Sequence, residues 1–254
     1  MGTGAITGYV DVAQIVLYLF WIFFFGLIYY LQRESHREGY PMETDGRARG
    51  IINGWPTPDP KSYLMHDGST VEKPGVEPPQ QFRSTPAHGY IGSPIEPTGN
   101  PLTAGVGPGA YAMRADVPDA MHDGSPKIVP LRSVPDYKVS GKDTDPVGLP
   151  VIGDDGETGG TVVDLWYDQM EAMVRYLEVE APSASGPRRV LVPIPFARIR
   201  RDRVDVKALL GAQIAATPAT RNPDRITLLE EEIVSAYYGA GTLYATPERA
   251  EPLI

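Results

Sequence analysis

The stretch VAQIVLYLFWIFFFGLIYYL, from Val12 to Leu31, decides the architecture of this chain, because it contains no charged side chain. A helix of about 20 apolar residues, rising 1.5 Å per residue, crosses the hydrocarbon core of a bilayer. A secretory signal peptide is the alternative, but no Lys or Arg precedes the stretch and no Ala-x-Ala-like cleavage site follows it. The sequence therefore predicts a retained transmembrane α-helix over residues 12–32.

The charges that flank this stretch predict its orientation. Asp11 is the one charged side chain in residues 1–11. Cationic side chains follow the stretch: Arg33, His36, Arg37, Arg47 and Arg49. Because cationic flanks stay in the cytoplasm, we expect residues 1–11 to be periplasmic and the bulk of the chain to be cytoplasmic.

Two groups of residues near the span are candidates for contact with partners or lipid. Trp21 lies near mid-membrane and Gly26 allows close approach, a combination that favours packing against other helices. The charged residues just beyond the span can pair with partner subunits or lipid head groups: Arg33, Glu34 and Arg37. Alternatively, these charged residues only set the orientation of the helix in the membrane.

The composition excludes several classes of function. The 254 residues have a formal net charge of -9 and include no cysteine, so disulfide and thiolate chemistry are excluded. We recognise no basic cluster beyond the juxtamembrane arginines, which argues against a nucleic-acid partner. Serines lie in turns and no Gly-x-Ser-x-Gly elbow is present, so the chain is not expected to be an enzyme.

Residues 33–147 form a Pro- and Gly-rich segment with runs such as WPTPDP, EKPGVEPP and GVGPGA. Repeated prolines disfavour helices and central strands. Scattered large side chains can pin an extended chain to a surface: Trp55, Tyr63, Leu64, Phe82, Tyr90, Ile91 and Tyr111. We predict ordered irregular structure lying on partner subunits, with a free linker as the alternative.

The run from Gly105 to Gly109, GVGPG, superficially resembles a phosphate-binding loop. Pro108 lies within it, no long helical pattern follows, and no Lys-Ser or Lys-Thr ending is present. This run therefore predicts a tight turn.

Residues 148–254 have the pattern of a compact, mainly β domain. Short runs rich in β-branched and aromatic residues, bounded by turn residues, predict five strands: Thr161–Tyr167, Val174–Glu180, Arg189–Pro193, Ala197–Arg200 and Arg203–Val206. Five short strands at close spacing favour a small antiparallel barrel. Thr227 and Glu230 have capping-box spacing, which predicts that a carboxyl-terminal helix starts there.

Several stretches resemble one family, the H subunit of the photosynthetic reaction centre of purple bacteria. They run in order along nearly the whole chain: FWIFFFGLIYYLQRE (20–34), REGYP (37–41), PTGNPL (97–102), GVGPGAY (105–111), DPVGLPV (145–151), VVDLWYD (162–168), RYLEV (175–179), ITLLEEE and YATPERAE. A weaker PRC-barrel pattern accompanies them: Gly148, Val151, Gly156, Gly159, Val162 and Asp164.

The resemblance implies a subunit that caps the L and M subunits in the bacterial intracytoplasmic photosynthetic membrane. Such a subunit stabilises the complex, shields the quinone sites from water and helps conduct protons to the secondary quinone. It binds no cofactor itself, while the complex holds bacteriochlorophyll, bacteriopheophytin, quinones, non-haem iron and carotenoid. Membrane lipid, a cytochrome subunit and light-harvesting antenna are further expected partners.

A first candidate site for proton transfer is the turn between the first two predicted strands, with Asp168, Glu171 and Arg175. Carboxylates relay protons when partial burial and neighbouring charges bring their pKa values closer to neutral. Spacing alone favours a solvated turn. The resemblance instead places Asp168 and Glu171 in the family's proton-uptake region near the secondary quinone.

A second candidate site is His122 with Asp123, in the run DAMHDGSPK. Some members of the family have a histidine pair here that admits protons and binds inhibitory metal. A single imidazole can exchange protons near neutral pH, but it does not make a two-histidine metal site. His36, His66 and His88 are widely separated, so we predict no metal site in this chain.

Two other functions remain open from the residues alone. One is a single-pass membrane adaptor or sensor whose barrel recruits soluble partners. The other is a membrane-tethered enzyme, which the absence of a recognisable nucleophile and base makes the weaker alternative.

Overall fold

The computed structural model describes residues 4–7, 10–38, 42–43, 51–52, 57–75, 83–90, 93–184 and 186–250. The chain divides into two compact units, one of residues 1–79 with 89–93 and the other of residues 80–88 with 94–254. Five residues used in the sequence analysis lie outside the described part: Arg47, Arg49, Trp55, Phe82 and Ile91.

The first unit contains the apolar helix α1, Val12–Ser35. Asp11 caps its amino terminus reciprocally with Gln14, because the Asp11 carboxylate accepts from the Gln14 backbone N–H at 2.7 Å and the Gln14 amide oxygen accepts from the Asp11 N–H at 3.2 Å. None of its residues is buried within the chain. A helix that is apolar all round and exposed requires lipid or partner helices around it, as a membrane span does.

Short antiparallel strand pairs follow α1. The first pair is β1 (Met42–Glu43) with β2 (Ile51–Ile52), and the second is β3 (Lys61–Leu64) with β4 (Thr70–Lys73). Arg37 is only 8% exposed and fastens the β3–β4 hairpin to the end of α1. Its guanidinium donates to the carbonyls of Asp59 at 2.7 Å and Lys73 at 3.1 Å.

The second unit contains a short pair, β5 (Ser84–Pro86) with β6 (Ile95–Pro97), and a seven-stranded sheet. The strands of this sheet are β7 (Ile128–Pro130), β8 (Pro150–Ile152), β9 (Thr158–Asp168), β10 (Met173–Ala181), β11 (Arg188–Pro193), β12 (Ala197–Ile199) and β13 (Val204–Val206). Their order is β11-β10-β9-β8-β13-β12, and β7 pairs with β9. Since β11 and β12 end this order yet are joined by one turn, the sheet curls back on itself as in a barrel.

The five predicted strands are confirmed, with ends that differ by at most three residues. The small, mainly antiparallel barrel is confirmed, and one pair departs from the antiparallel pattern: β13 runs parallel to β8, with Val204 beside Val151. Parallel neighbours need a long connection, and here that connection includes four other strands. The sheet also includes a strand before residue 148, since β7 pairs with β9 and all three of its residues are buried.

Two helices complete the second unit: the short α2 (Gly211–Ile214) and the predicted carboxyl-terminal helix α3 (Leu228–Tyr244). Thr227 and Glu230 form the expected capping box of α3. Tyr237 and Tyr238 of α3 are buried in the same core as Leu177 and Val192 of the sheet. This packing covers one face of the sheet with the helix.

Part of the Pro- and Gly-rich segment packs on α3. Residues 101–103 and 107–109 form 3₁₀ turns, so the GVGPG run is the tight turn that its sequence predicts. Leu102, Ala104 and Val106 are buried within this unit. For this stretch, the surface that orders the extended chain is supplied by the protein itself.

Candidate functional site

The carboxylate of Asp168 is fully buried at the end of β9 and organises the turn that leads to β10. Its Oδ1 atom accepts from the backbone N–H groups of Met170 and Glu171, both at 3.0 Å. A side-chain acceptor for two N–H groups fixes the path of a tight turn. A merely solvated turn is therefore excluded for Asp168, whereas the Glu171 side chain is 44% exposed.

Two cations face these carboxylates. The Nζ of Lys127 lies 3.4 Å from Asp168 Oδ2 and 3.1 Å from Glu171 Oε1. Arg175 places Nε 3.3 Å from Asp168 Oδ2 and a terminal nitrogen 3.4 Å from Glu171 Oε2. The structure thus brings the three predicted residues together and adds Lys127, which compensates the cost of burying a carboxylate.

Lys127 was missed by the sequence analysis. Its hydrogen bond to Glu171, followed by the charge of Asp168, raises the pKa of its ammonium. Asp119 lies farther away, with Oδ2 at 3.7 Å from Nζ. Nothing in the spacing of Lys127 signals this role, because its partners come from a turn more than 40 residues later in the chain.

His122 and Asp123 are exposed on a loop whose stem ends at Lys127. The stem is closed by a bridge between Ala120 and Pro126. Two hydrogen bonds from Gln169 attach the stem to the Asp168 turn: its backbone N–H donates to the carbonyl of Lys127, and its amide donates to the carbonyl of Pro126, both at 3.0 Å. The two candidate sites are therefore parts of one local structure.

The Asp123 carboxylate accepts from both the backbone N–H and the hydroxyl of Ser125, at 2.9 and 2.6 Å. These bonds, with the hydroxyl contributing most, hold the pKa of Asp123 below its usual range. Asp123 is thus an ionised turn residue at neutral pH, exposed beside His122. Among the described residues, no group of three or more His, Asp or Glu side chains is arranged to hold a metal ion.

Asp168, Glu171, Lys127 and Arg175 form a charged cluster, and a carboxylate on α3, that of Glu231, lies near its Arg175 side. The hydroxyl of Tyr176 donates to Glu231 Oε2 at 2.9 Å. Burial is the main cause that raises the pKa of both side chains; at Glu231 the hydrogen bond from Tyr176 opposes it, followed by the charges of Arg175 and Arg114. The local sequence here indicates a helix cap, and nothing in it marks Glu231 as a site residue.

The charged residues at the end of α1 mostly bind within the chain. Glu34 pairs with Arg37 at 2.9 Å and with Lys61 at 2.7 Å. Arg33 lies 3.8 Å from Asp59. The prediction that Arg37 contacts partners or lipid is corrected, because the β3–β4 hairpin buries its guanidinium.

The two candidates within the span, Trp21 and Gly26, lie on open surface of α1. Trp21 is 43% exposed and packs against neighbouring rings of its own helix, such as Phe24 and Phe25. A Cβ at Gly26 would meet no atom of this chain within 4 Å. Both positions are free to contact another helix or lipid.

Contrary to the expectation from sequence, the chain has a basic cluster beyond the juxtamembrane arginines. Four arginines lie on β12 and the turn that follows it: Arg198, Arg200, Arg201 and Arg203. Arg200 and Arg203 both bind Asp205 on β13, and the Arg203 contact is 2.8 Å. Internal pairing therefore neutralises part of this cluster.

Comparison with known families gives two matches. Residues 4–133, just over half of the chain, match the family described as photosynthetic reaction centre, H-chain N-terminal region. Residues 139–213 match the PRC-barrel domain. The first match includes α1 and Lys127, and the second includes strands β8 to β13 with Asp168, Glu171 and Arg175.

Proposed function

Because the chain belongs to the family of H subunits of the photosynthetic reaction centre, we propose that it caps the L and M subunits and conducts cytoplasmic protons to the secondary quinone. In this role helix α1 spans the membrane once, and the cationic residues that follow it favour an amino terminus in the periplasm. It is an accessory subunit, and the pigments, quinones, non-haem iron and carotenoid belong to the rest of the complex. A cytochrome subunit and the antenna are further proposed neighbours.

The observation that carries the proton-conduction proposal is the arrangement of Asp168 and Glu171. Asp168 is fully buried while Glu171 is half exposed, and both face Lys127 and Arg175. Such a pair reaches from bulk water into the protein, as the outer part of a proton route must. Reduction of a quinone to a quinol takes up two electrons and two protons, and the proposed role of this site is to supply protons only.

Shielding and stabilisation of the complex are supported by the surface of the chain. Large apolar side chains are exposed along α1, as in Phe23 and Phe25. Partner helices or lipid would cover this surface and add packing interactions that the cytoplasmic part lacks. We propose that α1 thereby holds the cap on the L and M subunits, so that water is kept from the quinone sites.

The double substitution of Asp168→Asn and Glu171→Gln tests the proton role. An amide of similar shape cannot bind and release a proton as a carboxylate does. We expect slower flash-induced second electron transfer and slower proton uptake, with primary charge separation unchanged. Single substitutions are expected to have smaller effects, because neighbouring carboxylates and water offer parallel routes.

The matched control for this experiment is the double substitution of Glu157→Gln and Asp202→Asn. This variant also removes two carboxylates, so its change in net charge is the same. Both of its side chains are exposed and lie outside the cluster. If the Asp168 and Glu171 variant assembles normally and both rates equal those of the parent across pH 5–10, the proposed proton role is wrong. Purification of the tagged chain distinguishes this function from the adaptor alternative. An H subunit should be purified together with pigmented membrane partners, whereas an adaptor should not.

A further inference from the structure

Lys127 lies where the two parts of the candidate site meet. Its Nζ is within 3.1 Å of Glu171, 3.4 Å of Asp168 and 3.7 Å of Asp119. The side chain is only 14% exposed. An ammonium group carries three N–H donors and a full positive charge, so one lysine can face all three carboxylates at once.

The backbone of Lys127 is held as firmly as its side chain. Its N–H donates to the carbonyl of Asp119 at 2.9 Å, and its carbonyl accepts from the N–H of Gln169 at 3.0 Å. These bonds join the stem of the His122 loop to the turn after β9. The position of the ammonium is therefore fixed by the fold on both sides.

We propose that Lys127 is a positioning residue of the proton route, which holds the carboxylates of Asp168 and Glu171 together and sets the pH range in which they take up protons. This inference rests on the proposed function. Neighbouring carboxylates repel one another, and a cation between them offsets that repulsion. Without the cation, the cluster would bind a proton more readily and release it less readily.

The charged and titratable groups around Lys127 come from several elements. Asp119 before the loop, Asp168 on β9 and Glu171 in the turn face its ammonium directly, and Arg175 on β10 contacts the last two. Farther out, Tyr167 adjoins Asp168, and on α3 Glu231 interacts with Arg175 and Arg114 while Glu232 pairs with Arg114 at 3.6 Å. Three carboxylates, those of Asp119, Asp168 and Glu171, thus lie around two cations, Lys127 and Arg175. Loss of Lys127 would double the net negative charge of the cluster and favour protonation.

The experiment compares Lys127→Met with Lys127→Arg in the assembled complex. Flash-induced second electron transfer and proton uptake are measured across pH 5–10. For Lys127→Met we expect the midpoint of the pH profile to move upward by about one unit, a typical effect of one nearby charge. Lys127→Arg keeps the positive charge and should restore most of the parent profile.

Lys207→Met is the matched control, because Lys207 pairs with Asp154 at 3.0 Å outside this cluster. It should leave the profile unchanged. Asp119→Asn provides a second variant at a half-exposed side chain, in case Lys127→Met fails to assemble. Removal of this carboxylate takes a negative charge away from the cluster, so the midpoint should move downward.

Two results would overturn the role of Lys127: an unchanged profile in Lys127→Met, or equal shifts in the Met and Arg variants. If Lys127→Met does not assemble, an unchanged or upward midpoint in Asp119→Asn overturns it instead. The Asp168→Asn and Glu171→Gln double variant, measured in the same assay, separates this inference from the proposed function. Slow proton uptake in the double variant, together with an unchanged Lys127→Met profile, would contradict only the role of Lys127. Normal uptake in the double variant would contradict the proposed function itself.

Discussion

Two buried carboxylates on adjacent strands differ in how completely they are satisfied. Glu178 on β10 accepts from Trp166 Nε1 at 3.0 Å and from the guanidinium groups of Arg132 and Arg189, so both of its oxygens are hydrogen-bonded. Asp168 Oδ2 lies near two cations but accepts no well-aligned hydrogen bond from the described residues. Glu178 is thus held in a complete hydrogen-bond network, whereas Asp168 Oδ2 is held mainly by the charges of Lys127 and Arg175.

Glu231 gives a pH-dependent test at the scale of a single residue. Burial raises its pKa above the ordinary value, so the folded state binds its proton more tightly than the unfolded state does. The stability that this protonated group contributes is complete below its unfolded pKa of about 4.3 and is lost as the pH rises through the folded pKa. Glu231→Gln cannot titrate, and its amide oxygen can still accept from Tyr176.

We therefore expect the free energy of unfolding of the parent, relative to Glu231→Gln, to fall as the pH rises above the unfolded pKa of about 4.3. Denaturant unfolding of the full chain, followed by Trp fluorescence at several pH values, measures this difference. Glu157→Gln is the control, because the Glu157 side chain is exposed. A parent and a Glu231→Gln variant whose stabilities differ by a constant amount at every pH would contradict the prediction.

At the scale of elements, α3 and the 3₁₀ turn of residues 107–109 meet in unusually close contact. A Cβ at Gly239 would lie 2.4 Å from the carbonyl oxygen of Pro108, and one at Gly109 would lie 2.9 Å from the Cβ of Ala240. The opposed glycines allow the backbone of the turn to lie directly on the helix. The GVGPG run is thus explained by packing of the chain on itself.

Gly239→Ala tests this contact. Helix propensity alone would favour Ala by about 1 kcal/mol. The added methyl group would force the turn away from the helix, and overpacking of this kind costs about 1–3 kcal/mol. We expect net destabilisation in denaturant unfolding, whereas Thr242→Ala, at an exposed position of the same helix, should be neutral or slightly stabilising. Equal or greater stability of Gly239→Ala would show that the turn can move freely.

The elements differ in how far the sequence could predict them. Helix α1, strands β9 to β11 and the Thr227 cap have strong local signals, and each is found where its signal predicts. Strand β7 has only three residues in a Pro-rich setting, and it is a strand because β9 supplies its hydrogen bonds. The parallel pairing of β13 with β8 is likewise a long-range contact with no local signal.

The same distinction applies to the candidate site. Asp168, Glu171 and Arg175 lie within one short turn and its flanking strands, so their proximity follows from the hairpin itself. Lys127 and Glu231 reach the cluster from distant parts of the chain. Sequence spacing cannot place such residues, because only the tertiary fold brings their elements together.

At the scale of the whole molecule, one part of the Pro- and Gly-rich segment packs on the chain itself, and another part leaves its apolar side chains exposed. Leu102 and Val106 are buried in the second unit, although they belong to the Pro- and Gly-rich segment. The β3–β4 hairpin of the first unit is different, because Tyr63, Leu64 and Val71 are all exposed, with Leu64 at 78%. A two-stranded hairpin is marginally stable in water without a covering surface.

We therefore expect limited chymotrypsin digestion to distinguish these two parts of the segment. In the isolated chain in detergent, cleavage after Tyr63 or Leu64 should be fast, because the hairpin exposes these side chains and opens locally at little cost in free energy. In the assembled complex the same bonds should be protected, since partner subunits would cover the hairpin. Cleavage after the buried Leu102 should be slow in both samples and serves as the internal control. Mass spectrometry of the fragments identifies each cut. Equal cleavage rates at Tyr63 and Leu64 in the two samples would mean that the hairpin is stable by itself, and its exposed apolar side chains would then no longer indicate a partner surface.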